Sequence, residues 1–224
     1  MMTKDRQTKT SISEGTGMSV KGKLAGVVVS ALLVGAVEAA PVLTFNESTG
    51  QDALAYQGTQ GWLFTKASGT TLTINGLSWW DEKKDGLAKS HMVGIWNTTT
   101  DELLRSVVIP AGTAATLDGQ WRTVAIEPLT IPDGATVYAI GGQTTYDDTD
   151  RVVLETTLTY RHPSLGSVYP NAYNSGSSGF SIPKAYFASS KYGSFGPSFS
   201  VAVPEPATMG LMLVGLSGLA RRRR

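Results

Sequence analysis

Apolar and polar residues alternate in short runs along the middle of this chain, and no stretch there sustains a 3.6-residue apolar period over three turns. Successive side chains of a strand point to opposite sides, so a period of two builds half-buried strands and leaves no helix to bury. Trp62-Leu63-Phe64-Thr65 and Thr71-Leu72-Thr73-Ile74 show the pattern. Asn75-Gly76 interrupts it before Leu77-Ser78-Trp79-Trp80, either as a turn or as a bulge within one strand. Met92–Trp96, Leu103–Ile109, Trp121–Ile126, Thr136–Ile140 and Val152–Tyr160 continue the series, and Phe199–Val203 closes it. Asp85-Gly86, Pro110-Ala111-Gly112, Asp118-Gly119 and Pro132-Asp133-Gly134 supply turns between them. Short strands so regularly punctuated predict an all-β body, an antiparallel β-sandwich of jelly-roll type.

Large rings on such strands fill the space between sheets. Trp62, Phe64, Trp96 and Trp121 are expected there. Trp79 and Trp80 are adjacent, so one ring must leave the core unless a further layer covers it. That makes the pair a candidate glycan-binding face, together with Tyr169 and Tyr173. Both tyrosines lie in the Ser-, Gly- and Tyr-rich stretch from Pro163 to Pro197. Two readings stand for this stretch: long loops whose aromatics fold back onto the sheets, or an exposed aromatic surface for a glycan or partner.

Catalytic and metal chemistry finds few residues to work with. Cysteine is absent, which removes disulfides, thiol nucleophiles and thiolate metal sites. The two histidines, His91 and His162, form no zinc motif. His91 is expected at the start of a strand in a hydrogen-bonding role, and His162, ahead of Pro163, on the surface at a strand end. No Gly-x-Ser-x-Gly elbow occurs. Asp81 to Gly86 hints at a calcium loop, but Lys83 and Met92 occupy positions where a helix-loop-helix site needs oxygen ligands. A looser structural calcium site at Asp81 and Asp85 stays open, with Asp147-Asp148-Thr149-Asp150 as a second acidic loop. No other cofactor is expected, and the body is read as non-enzymatic; a glycan-active enzyme needing only two carboxylates is the weaker alternative.

The two ends are built differently from the middle. Lys21 and Lys23 precede the apolar stretch Leu24–Val37, and Val37-Glu38-Ala39 fits a small-x-small cleavage pattern. The reading is a secretory signal cut after Ala39, so that Ala40 starts the body, with Met18 as an alternative start of translation. The apolar centre is shorter than the roughly 20 residues of a membrane span. At the other end Val203-Pro204-Glu205-Pro206 leads into the apolar run Ala207–Ala220 and then Arg221, Arg222, Arg223 and Arg224. Prolines keep the backbone extended, the apolar run partitions into lipid, and the arginines hold the tail on the cytoplasmic face. Residues 1–39 thus form the leader, 40–203 one domain with its late segment 163–197, and 204–224 the tail. A signal helix and a short C-terminal hydrophobic helix would flank the sheets. Without leader and tail, the body holds 10 Lys and Arg against 14 Asp and Glu, so it offers no basic patch for nucleic acid.

The tail resembles the PEP-CTERM sorting signal of Gram-negative bacteria. That resemblance implies recognition by an exosortase after passage through the secretory translocon and signal peptidase, with transient anchoring in the inner membrane. Within the body, Gly61-Trp62-x-Phe64, Thr73-Ile74-x-Gly76-Leu77, Trp79-Trp80, His91-x-Val93-Gly94-Ile95-Trp96 and Trp121-Arg122-x-Val124 follow in order, with Pro128-Leu129-x-Ile131 and Thr136-Val137-Tyr138 after them. This series resembles a family of secreted bacterial β-sandwich domains of unknown function, which implies the fold and no catalytic residues. The expectation is an exported surface or extracellular-matrix protein, with a carbohydrate-binding module of the envelope or exopolysaccharide as the alternative.

Overall fold

A computed structural model describes residues 39–45, 57–134, 136–145, 149–150, 154–155, 158–175, 179–186 and 192–202. All of these residues belong to one unit, Ala36–Arg224. The two expected flanking helices lie outside the described residues, among which there is no helix.

Among the described residues fifteen strands follow in order. The first seven are β1 (Ala39–Pro41), β2 (Leu43–Phe45), β3 (Gly58–Lys66), β4 (Leu72–Trp80), β5 (His91–Asn97), β6 (Leu103–Ile109) and β7 (Thr116–Asp118). Next come β8 (Trp121–Ile131), β9 (Val137–Thr144), β10 (Leu154–Glu155) and β11 (Leu158–Arg161). The last are β12 (Leu165–Ser175), β13 (Ala185–Tyr186), β14 (Tyr192–Gly193) and β15 (Pro197–Ala202). A five-stranded sheet has the order β1-β15-β4-β8-β7, and a six-stranded sheet β13-β12-β3-β9-β5-β6; β2 pairs with β11 and β10 with β14. Every pairing among these strands is antiparallel.

Both large sheets feed one core. Leu72, Ile74, Leu77 and Trp79 of β4, Trp121 of β8 and Phe199 of β15 cluster with Trp62 and Phe64 of β3, Val93 and Ile95 of β5, and Ile140 of β9. Each such side chain contributes about 1.5–3 kcal/mol by leaving water, which explains how a chain without disulfides holds this body together. The alternation continues on the other face of the six-stranded sheet. There Leu63, Trp96, Ala139 and Ala172 form a second, smaller cluster on which Tyr169, Phe180 and Ile182 pack.

Asn75-Gly76 proves to be a bulge inside β4, so the two expected strands are one. Against β15 the register skips Asn75; against β8 the three residues Ile126, Glu127 and Pro128 fall opposite it. Pro128 has no amide hydrogen to give to a ladder, and a bulge tolerates that. Gly76 is required by space, since a Cβ there would lie 2.5 Å from the Ser200 hydroxyl and 2.8 Å from a Thr123 methyl.

The late segment is corrected more substantially. Residues 165–175, expected as loop, form the eleven-residue β12, which pairs with β3 and β13. Its register breaks between Leu165 and Val168 and again between Tyr169 and Ala172. Two bulges in one strand shift the inward positions, so no period of two is visible in its sequence. Phe180 and Ile182, further on, fold back onto the sheet as the first of the two readings has it.

Candidate functional site

The chemistry-bearing side chains of the body gather where β4 ends and β5 begins. Trp79 lies flat on the imidazole of His91, ring centroids 3.8 Å apart and planes 3° from parallel. Its six-membered ring also presses on Gly142 of β9, where a Cβ would come within 2.1 Å. Trp80, pointing the other way, meets Phe45 edge-on at 6.0 Å and Trp121 at 5.0 Å. Trp79 is fully buried and Trp80 is 4% exposed. The pair considered for glycan binding thus exposes neither ring, because β2 brings Phe45 over Trp80. All five tryptophans are buried.

His91 opens β5, as expected, and it too is buried. Its Nε2 is 2.7 Å from a carboxylate oxygen of Asp150, and its Nδ1 is 3.4 Å from the carbonyl oxygen of Gln143. Asp150 also accepts hydrogen bonds from the amides of Ala88 at 2.9 Å and Lys89 at 3.1 Å. Burial works to raise the pKa of Asp150, but the His91 bond and the two amides outweigh it and hold the carboxyl below its ordinary value. One carboxylate thus ties the turn before β5 to the segment after β9. His162 is partly buried rather than on the surface; its Nδ1 accepts from the Ser164 amide at 3.2 Å, and burial lowers its pKa.

Asp81 pairs with an arginine. Arg122 Nε donates to its carboxylate at 2.7 Å, and both side chains are buried. The Gly86 amide donates to the same carboxylate oxygen at 3.0 Å, which closes the turn that follows β4. Arg122 Nη1 donates to the carbonyls of Thr113 and Ala115, and its Nη2 to that of Lys84. A guanidinium thus already neutralises Asp81, one of the two residues considered for calcium, while the other, Asp85, is exposed and lines a polar cleft with Glu82 and Asp150. Among the described residues, no group of three or more His, Asp or Glu side chains is placed to hold a metal ion.

Sequence reasoning missed Arg122 as the counter-ion of Asp81. The only signal was its place beside Trp121 on a strand, where a charged residue facing the interior needs a partner. Both Tyr169 and Tyr173 lie half-buried on β12, Tyr169 opposite Leu63 and packed on the Leu63–Trp96 cluster, Tyr173 opposite Gln60 and lining a cleft with Asp101 and Lys184. Trp96 is covered by Phe180, ring centroids 4.8 Å apart.

β1 pairs with β15 at one edge of the five-stranded sheet. Ala39 begins β1 and stands opposite Ala202, the last residue of β15, while Ala40 stands opposite Val201. Val37 and the sorting residues Val203–Pro206 and Arg221–Arg224 lie outside the described residues. A family profile of the PEP-CTERM protein-sorting motif matches residues 202–224, beginning where β15 ends. The chain carries a PEP-CTERM sorting motif. It marks an exported protein sorted through an exosortase. No curated protein and no solved structure matches the chain.

Proposed function

We propose that this protein is a non-enzymatic component of the cell surface or extracellular matrix of a Gram-negative bacterium. The secretory translocon delivers it, signal peptidase removes the leader after Ala39, and the tail anchors it in the inner membrane until exosortase cuts near Pro204-Glu205-Pro206. The sorting motif at residues 202–224 is the observation that carries this reading. The two facing sheets are read as a jelly-roll-like sandwich, a compact body suited to survive outside the cell.

Two features support a structural role. Both ring nitrogens of His91 are engaged and its face is stacked on Trp79, so the imidazole is already committed to holding the fold. Asp81 is likewise committed to Arg122. A carbohydrate-binding module would have to do without the tryptophans, and of the residues first considered it keeps Tyr169 and Tyr173.

Mass spectrometry of the exported protein should find a first residue at Ala40 and no terminal arginines. A polypeptide that reaches the exterior with Arg221–Arg224 attached refutes the sorting reading.

A further inference from the structure

Among the described residues, the outermost strands of the two large sheets are β1 and β7 in one and β13 and β6 in the other. Three of these are stubs: β1 and β7 have three residues each and β13 has two. Where β8 and β12 run on past their short neighbours, Pro128 and Pro170 interrupt the row of amides they could offer. Short strands and prolines keep a sheet edge from recruiting another chain. β6 has neither device. It is seven residues long, pairs only with β5, and holds no proline or lysine. Its one irregularity falls at Leu104, so Arg105–Ile109 is a regular strand whose outward row of backbone groups faces no described strand.

The sheet face beside this edge is apolar as well. Of the five large apolar or aromatic side chains left exposed among the described residues, three are here: Met92, Leu103 and Val108, at 36%, 42% and 49%. Met92 stands opposite Val108, and Leu103 opposite Trp96 of the outer cluster, so all three share the outer face of the six-stranded sheet. Charge does not oppose a second copy. Two identical strands meeting about a two-fold axis set like charges against each other. β6 carries one charge, Arg105, and that side chain is turned back: its Nη1 donates to the Leu104 carbonyl at 2.7 Å and its Nε to the Glu127 carbonyl at 3.3 Å. The edge it leaves is uncharged and complementary to itself.

We propose that β6 is a self-association surface: Arg105–Ile109 pairs antiparallel with the same residues of a second copy about a two-fold axis at Val107, joining two six-stranded sheets into one. Backbone hydrogen bonds between the two edges supply the attraction, as in any strand added to an open sheet. In this register Val107 faces its own counterpart, Ser106 faces Val108, and Arg105 faces Ile109. The apolar strips of Met92 and Val108 on the two copies then adjoin across the junction. The pairing needs only the folded body and goes beyond the export reading, which stands or falls by the tail.

Full-length protein in detergent is sedimented to equilibrium over a range of concentrations. Wild type should move from the mass of one chain towards that of two. Val108→Lys, at an exposed position, should weaken the association at least about tenfold, since a lysine blunts a sheet edge. Association that survives in Val108→Lys comes from elsewhere in the chain, the apolar ends included, and overturns the proposal. A wild type that remains one chain throughout also overturns it. Oxidation reads the register. The chain contains no cysteine, so Val107→Cys brings one thiol per copy. Residues directly opposite across antiparallel strands lie about 4.5–5.5 Å apart between Cα atoms, within disulfide range. Val107→Cys should link into covalent dimers, while Leu117→Cys, on the edge of the other sheet, should stay single. Equal linking of both variants, or of neither, sinks the proposal. Should Val107→Cys fail to fold, an equimolar mixture of Ser106→Cys and Val108→Cys, both at exposed positions, tests the same register. Mixed dimers should then outnumber either variant linked to itself, and the reverse result counts against the pairing.

Discussion

Gly142 and Trp79 show how a single residue sets the spacing of the two sheets. The indole of Trp79 reaches from β4 across the core and rests where any Cβ on Gly142 would stand, 2.1 Å from the ring. Trp79 is fully buried and bounded on its face by His91, so it has no room to move aside. Gly142→Ala should therefore destabilise the protein by about 1–3 kcal/mol, the usual result of overpacking a filled core. Urea unfolding followed by tryptophan fluorescence measures this as a lower midpoint with an unchanged slope. Arg122 and Asp81 illustrate a different residue-scale rule. Their pairing neutralises two charges that burial would otherwise make costly, and it uses the acidic loop that sequence alone offered to calcium.

Among the elements, the segment carrying Asp150 is held to the start of β5 by one carboxylate with three donors: His91 and the amides of Ala88 and Lys89. The folded pKa of Asp150 lies below its ordinary value of 3.8, so the unfolded chain binds more protons in acid. The contribution of Asp150 is fully present above that ordinary value and is lost as pH falls through the folded one. Thermal melts should show the wild type losing stability between about pH 5 and pH 3, and Asp150→Asn should lose less over the same window. An identical acid profile for the variant would remove Asp150 from this role. The same scale explains which strands were legible. β6 appears in the sequence with the bounds it has in the fold, because its turns are punctuated at both ends. β12 does not, because two bulges erase its period, and Tyr169 packs on the outer cluster of the six-stranded sheet.

For the molecule as a whole, one core drawn from both sheets implies one unfolding unit. Mature protein should unfold in a single transition, with the midpoints by tryptophan fluorescence and far-ultraviolet circular dichroism coinciding. Separated midpoints would show that the six-stranded sheet, with its own outer cluster, melts independently. The amino-acid sequence by itself determined the all-β class and the sorting motif, since a period of two and a linear address are both properties of neighbouring residues. Only the tertiary structure decided the fate of Trp79 and Trp80, the counter-ion of Asp81 and the pairing of β1 with β15 at one sheet edge. Those facts depend on residues far apart in the chain, such as Phe45 over Trp80, Arg122 beside Asp81 and Ala39 opposite Ala202. Packing brings them together through burial that has no local signature.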